Sequence, residues 1–364
     1  MKSYIKEAVQ QLQQSSKLKK EIELKNPNDY KKNFLRISYN KLLFFLQTRI
    51  VPSHFKNWLL RTSGMNIGDD ACIPHYIKFD PYFPELIYLE KGSLVGGLCT
   101  LVTHKIEGNK LLLGKVILEE RTMIGGDCIM FPGSKVSKKS LLMFFSDLNK
   151  VIPEGELWGG KPAQGVKKFS SEEIEKFFAL SKNDSEYYKS FKKKVREFLH
   201  DPTKTYLKIQ YNGKRLTAGN DWWRARNMIR IFWNGGITEI TRPLPHCWLK
   251  TTLLRLAGIK IGKNCHIGKG VIFDHLFGDN VTLEDNVTLG ENAYLDGHEY
   301  TTTQTIFGKT VIKKGAHIKH HAFIRTGTII GENTIIEPFS VAQREIPSNE
   351  IWGGNPAVFL KKKA

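Results

Sequence analysis

The sequence predicts a mainly β protein: two tandem solenoid domains with α-helical segments before and between them. Three observations carry that prediction. The chain repeats itself at a spacing of 194 residues, each copy carries an apolar period of six, and each closes on one phrase. The phrase reads "LWGGKPA" at Leu157–Ala163 and "IWGGNPA" at Ile351–Ala357.

Shifting the chain by 194 residues aligns 59–168 with 253–362 without a gap, and roughly thirty pairs are identical. They include Ile67–Gly68/Ile261–Gly262, Phe79–Asp80/Phe273–Asp274, His104/His298, Gly133/Gly327 and Ile152–Pro153/Ile346–Pro347. Self-similarity of this kind is read as a duplicated repeat architecture before any local assignment. The segments in order are a helical extension over 1–27, a first β domain with a leading helix over 28–168, a helical linker over 169–219, and a second β domain with a leading helix over 220–364. Asp29 and Asp221 are expected to cap the two leading helices, since a short acidic side chain can accept an orphan backbone N–H.

Within the first copy, aliphatic residues fall at Leu89, Val95, Leu101, Leu112, Leu118, Ile124, Met130, Val136 and Leu142; in the second, they fall at Leu283, Leu289, Leu295, Ile306, Ile312, Ile318, Ile324, Ile330 and Ile336. The step of six is interrupted once per copy, just after a histidine. Small residues such as Thr122, Cys128, Ser134, Ala316, Ala322 and Thr328 follow four places behind an aliphatic one. Neither a helix at 3.6 nor a strand at 2 produces such a step. A triangular coil does, with one short strand and one tight turn for every six residues. The aliphatic side chain then fills the interior, and Gly, Asp or Asn beside it takes the corner where φ is positive.

Composition narrows the function classes. With 364 residues, 41% hydrophobic and 25% charged, the chain is long enough for two cores and ordinary for a globular protein. No apolar run reaches the ~18–20 residues that span a bilayer. The opening "MKSYIKEAVQQLQQSSKLKKEIELKN" has no apolar stretch of the secretory kind. Five cysteines without a CxxC pair argue against a disulfide framework or a zinc knuckle, so a reducing, cytoplasmic setting is expected. The formal charge of +19 either attracts polyanions or reflects scattered, solvated lysines.

These repeats resemble the hexapeptide-repeat acyltransferases, whose fold is a left-handed parallel β-helix. The tail "TIIGENTIIEPFSVAQREIPSNEIWGGNPAVFLKK" is similar to that family's closing coil and cap. The likeness spans about three quarters of the chain, and the doubled layout more loosely resembles paired modules of peptide-synthetase-like proteins. It implies acetyl-coenzyme A, or another acyl-coenzyme A, as co-substrate, an O- or N-linked sugar or cell-envelope acceptor, and a homotrimer. It also implies that the cap turn borders the coenzyme groove, which nominates Gly160, Pro162, Lys167, Gly354, Pro356 and Lys361.

His104 and His298 occupy the same frame position, each just before an ejected loop, 105–113 in one copy and 299–305 in the other. In the family such a histidine is the general base, a role that suits an imidazole at neutral pH. The bland reading is a corner histidine kept for hydrogen bonding. No cysteine aligns between the copies, so a covalent acyl-enzyme is not indicated. Asp296, two residues before His298, is a candidate orienter, while the first copy has Val102 there. His317, His320 and His321 raise a zinc-dependent, carbonic-anhydrase-like alternative, but they crowd one rung without the spacing of ligands on neighbouring coils, so no metal site is assigned.

The segment "DWWRARNMIRIFW" is amphipathic. It either packs against the base of its β-helix or makes a peripheral membrane contact. The lysines of 169–219 could meet nucleic acid, but no aromatic platform supports that partner. A non-catalytic scaffold or membrane-docking module is the rival to the enzyme.

Overall fold

Strands of two or three residues succeed one another along each copy, and each pairs in parallel with the strand one turn of the solenoid away. Met123 lies beside Leu141, Ile129 beside Asp147, and His317 beside Ile335, a register of eighteen residues or three steps of six. The computed structural model, which describes residues 1–363, therefore contains two tandem left-handed parallel β-helices of the hexapeptide type, each with three sheet faces. One unit comprises Met1–Lys182, Tyr211–Asn220 and Thr301–Thr303; the other comprises Asn183–Gln210, Asp221–Tyr300 and the chain from Gln304 onward.

The aliphatic ladder makes both cores. Leu89, Val95, Leu101, Leu118, Ile124, Met130, Val136 and Leu142 are buried in one, and Leu283, Leu289, Leu295, Ile312, Ile318, Ile324, Ile330 and Ile336 in the other. Burying each such side chain stabilises its coil by about 1.5–3 kcal/mol. Leu112 and Ile306 depart from expectation. They lie on the second strands of hairpins, Lys110–Gly114 and Gln304–Gly308, and the coil resumes at Val116–Leu118 and Thr310–Ile312.

The corners also differ from the expected arrangement. The left-handed residue comes three places after the aliphatic one, as at Asp127, Lys139, Phe145, Asn286, Asn292 and Asn333, with φ between +52° and +60°. The glycine directly after the aliphatic residue has another reason to be glycine. A Cβ on Gly125 would stand 2.5 Å from the backbone nitrogen of Phe144, and one on Gly290 would stand 2.5 Å from that of His320. The next coil simply passes too close.

Each ejected loop is a β-hairpin extended by a third, antiparallel strand. Lys19–Glu23 pairs with Lys110–Gly114, which pairs with His104–Glu107; Tyr206–Gln210 pairs with Gln304–Gly308, which pairs with His298–Tyr300. The N-terminal extension is thus helical only over α1 (Ser3–Gln14) before it turns into a strand. Helices α2 (Phe34–Gln47) and α3 (His54–Arg61) cover the first solenoid's base. The linker holds α4 (Ser171–Phe178) and α5 (Tyr187–His200), then the strand Tyr206–Gln210; α6 (Met228–Thr241) and α7 (Trp248–Leu256) follow.

Neither expected cap residue caps a helix. Asn33 Oδ1 accepts the Leu35 N–H and Asn227 Oδ1 accepts the Ile229 N–H, so α2 and α6 start later than Asp29 and Asp221 suggested. Asp29 instead accepts from the Tyr4 hydroxyl, and Asp221 from that of Tyr188. At the far ends the repeated phrases form closing hairpins. Trp158 and Trp352 pack against the cores, and their indole N–H groups donate to Glu156 (2.7 Å) and Glu350 (2.8 Å).

Candidate active site

The strand Lys78–Phe79 runs beside Thr100–Leu101, so the residue after Phe79 lies one coil below the residues that lead into the hairpin. That residue is Asp80, and His104 opens the hairpin directly above it. His104 Nδ1 lies 2.5 Å from Asp80 Oδ2. The second copy repeats the contact: Ile272–Phe273 pairs with Tyr294–Leu295, and His298 Nδ1 lies 2.5 Å from Asp274 Oδ2. The two dyads are the same structure built twice.

Both carboxylates are buried and saturated with donors. Asp80 accepts from the N–H groups of Tyr82 (2.9 Å) and Thr103 (3.1 Å) and from the Thr103 hydroxyl (2.9 Å). Asp274 accepts from the N–H groups of Leu276 (2.8 Å), Phe277 (2.9 Å) and Gly297 (2.8 Å). Burial alone would raise these acids, but the imidazole and backbone donors outweigh it, and both are held below the ordinary carboxylate range. An ionised carboxylate only accepts. Nδ1 therefore carries a proton, and it is Nε2 that offers a lone pair in the neutral ring. Side-chain exposures of 16% for His104 and 14% for His298 leave each ring reachable from solvent rather than sealed in the core.

An aromatic wall holds each ring. Phe83 sits 5.3 Å from the His104 ring and Phe277 sits 5.5 Å from that of His298. Behind them stand equivalent cations, Lys32 over Phe83 with its ion pair to Glu85, and Arg226 over Phe277 with its ion pair to Asp279. The sequence reading missed Asp80, Asp274, Phe83 and Phe277. The signal was present, since all four are identical across the 194-residue shift.

Asp296 does not orient His298; Asp274 does. Asp296 is buried against Asp274, and burial followed by the charges of Asp274 and Glu299 pushes its carboxyl well above the ordinary range. Ligand atoms of Asp274, Asp296 and His298 lie within 4.8 Å of one another. Four N–H donors already point at Asp274, as expected for a proton-holding network. The copies diverge further beside this ring. Arg325 donates to both oxygens of Glu299 and to Gln343 (2.8 Å), whereas the first copy has Phe131, Lys105 and Asn149 at these places.

The cap residues recur with the same geometry. Gly160 has φ +102° and Gly354 φ +99°, and the N–H of each donates to a serine, Ser146 and Ser340, at 3.0 Å. Pro162 and Pro356 follow cis peptide bonds. The paired lysines are used differently: Lys167 is tied to Glu173 and lies over the Phe169 ring, whereas Lys361 is exposed on the outer strand of its cap. The histidine trio is not gathered into one group. His321 stacks on Phe339 at 5.0 Å and His320 meets the same ring edge-on, both at a corner, while His317 is on a strand.

No family model matches the chain. Over 143 residues it is 26% identical to "Putative acetyltransferase YvoF" of Bacillus subtilis, covering 39% of this chain and 82% of that protein. Over 116 residues it is 35% identical to gamma carbonic anhydrase 1, mitochondrial, of Arabidopsis thaliana, covering 31% of this chain but only 37% of that protein. Among solved structures, a hexapeptide-repeat acetyltransferase of Vibrio cholerae aligns at 18% identity and a TM-score of 0.34, covering 41% of this chain and 96% of that one. The strand register itself makes the chain a tandem hexapeptide-repeat β-helix protein. Its particular form is two complete modules in one polypeptide, each with its own Asp–His dyad.

Proposed function

We propose that the chain transfers an acetyl group from acetyl-coenzyme A, or another acyl group from the corresponding acyl-coenzyme A, to a hydroxyl or amine of a sugar or cell-envelope precursor. The repeated dyad with its fixed tautomer is the observation that carries this reading. Nε2 of His298, or of His104, takes the acceptor's proton as that oxygen or nitrogen attacks the thioester carbonyl. The C–S bond then breaks, and the departing thiolate recovers the proton from the imidazolium, so the base is restored. Asp274 and Asp80 stabilise the transient imidazolium, as a buried carboxylate does in other His-based acyl transfers. Backbone N–H groups of a corner turn are the oxyanion donors in this scheme.

Gly160, Pro162 and Lys167, with Gly354, Pro356 and Lys361, would border the coenzyme, Lys361 offering an exposed ammonium to a phosphate. A homotrimer would bring a neighbouring prism against each dyad. Five free cysteines fit a cytoplasmic, reducing setting. Calorimetric titration with coenzyme A, followed by thiol-release assays over a panel of sugar acceptors, tests the proposal. Binding with acceptor-dependent thiol release supports it. No binding would leave a scaffold.

A further inference from the structure

The helix pairs at the two solenoid bases turn a mixed face inward, with Leu43, Phe44, Leu60, Ile231, Ile237 and Leu254 buried beside polar side chains, and a largely apolar face outward. Helix α2 buries Asn40 and Gln47 completely, and α3 buries Lys56 and Asn57, while Phe34, Leu35, Leu42, Phe45, Phe55 and Trp58 are exposed. In the second unit α6 and α7 bury Asn234, Thr238 and Lys250 and expose Ile229, Phe232, Trp233, Ile240 and Trp248. Phe34, Leu35, Ile229 and Trp248 are each more than 70% exposed.

The inward polarity has a structural cause. The solenoid's first coil presents carbonyls that would otherwise lack partners. Asn40 donates to Pro81 O (2.8 Å), Gln47 to Ile77 O (2.7 Å) and Asn57 to Ala71 O (2.8 Å). Lys56 donates to Pro74 O (2.7 Å) and Ile50 O (3.0 Å); its counterpart Lys250 donates to Gly268 O (2.7 Å) and Leu244 O (3.0 Å). Capping the coil thus explains what these helices bury. It does not explain what they expose, because water favours a polar outer face.

Charge selects the occupant. Residues 34–63 hold no Asp or Glu but contain Arg36, Lys41, Arg49 and Arg61; residues 228–257 hold one acid, Glu239, against Arg230, Arg242 and Arg255. Arg49 lies over the Phe45 ring and Arg36 over that of Tyr39, at the rim of the apolar face. A like-charged face repels a second copy of itself, whereas anionic headgroups attract it while the acyl region takes up the aromatic side chains. No helix is long and apolar enough to cross a membrane among the described residues, and α2 and α6 have 14 residues each. They can lie in the interface plane but not span it.

We propose that α2–α3 and α6–α7 are each a monotopic docking face for an anionic lipid bilayer. This inference is independent of the acyl-transfer chemistry. The test is sedimentation of the full chain with large vesicles, either half phosphatidylglycerol and half phosphatidylcholine or phosphatidylcholine alone. The comparison is with a variant carrying Phe45→Gln, Trp58→Gln, Phe232→Gln and Trp248→Gln, all at exposed positions. Circular dichroism and light scattering run alongside.

The expected result is binding to the anionic vesicles at least tenfold stronger than to the neutral ones, weakened at least tenfold in the variant with its fold and mass unchanged. Three results overturn the proposal: no vesicle binding by the parent, binding that the variant retains, or a variant whose assembly falls apart. The last would assign the face to a contact between copies. Thiol release with a soluble acceptor should be the same in parent and variant, which separates failure here from failure of the transferase reading.

Discussion

His298 Nδ1 stands 2.5 Å from Asp274 Oδ2, and His104 stands the same distance from Asp80 at the equivalent point of the other solenoid. A hydrogen bond this short between a ring nitrogen and a buried carboxylate fixes which nitrogen keeps its proton. Replacing the acid by an amide removes that instruction, because Asn can donate to Nδ1 as readily as it accepts. Asp274→Asn and Asp80→Asn together are therefore expected to lower kcat by about 10²–10⁴-fold. KM for acetyl-coenzyme A should change little. Steady-state thiol release checks both.

The buried carboxyls around the two histidines give opposite pH dependences. Asp80 and Asp274 titrate below the usual value when folded. Their contribution to stability is complete above about pH 4 and is lost as pH falls through the folded values. Asp296 titrates above the usual value. The folded chain then holds a proton that the unfolded chain releases, so stability declines as pH rises from about 4 through the folded value. Asp296→Asn should raise the Tm of its domain at pH 8, while Asp274→Asn should flatten the acid limb. Scanning calorimetry between pH 3 and 8 measures both.

Two glycines separate packing from backbone freedom. Gly290→Ala forces a methyl to within 2.5 Å of the His320 nitrogen, and the neighbouring coil is backbone that cannot yield cheaply. A loss of about 1–3 kcal/mol or more is expected, as for overpacking elsewhere. Gly236 lies within α6, where an added Cβ meets nothing within 4 Å. Gly236→Ala should stabilise by about 0.5–1 kcal/mol. Denaturant midpoints read the difference.

The lysines of the two caps should separate in the same way. Lys361 is exposed, whereas the Lys167 ammonium is already tied to Glu173. An exposed charge contact is worth about 0.2–1 kcal/mol. Lys361→Ala should therefore weaken coenzyme A binding by roughly two- to fivefold in low salt, and Lys167→Ala by less. Calorimetric titration of each variant decides.

The periodicity of the chain displayed the solenoids, the paired histidines and the caps, because a step of six and a shift of 194 residues are one-dimensional signals. Asp80 was hidden because it acts across one coil, 24 residues from its partner, where only the register Phe79–Leu101 brings them together. The strands Lys19–Glu23 and Tyr206–Gln210 were hidden because they pair with a hairpin edge about 90 residues further along the chain, outside the step of six. Helices α2 and α6 were misread at their caps, which are Asn33 and Asn227. An amphipathic pattern does not say which side faces the protein, and here the carbonyls of the first coil draw Asn40 and Gln47 inward beside Leu43 and Phe44.

Turnover of acetyl-coenzyme A by His104→Ala, by His298→Ala and by the double variant tests the central claim most directly. The dyads predict a fall of about 10²–10⁴-fold in the double variant, with the single variants showing how the rate divides between the two solenoids. A double variant that is correctly folded and turns over at the parent rate would contradict it.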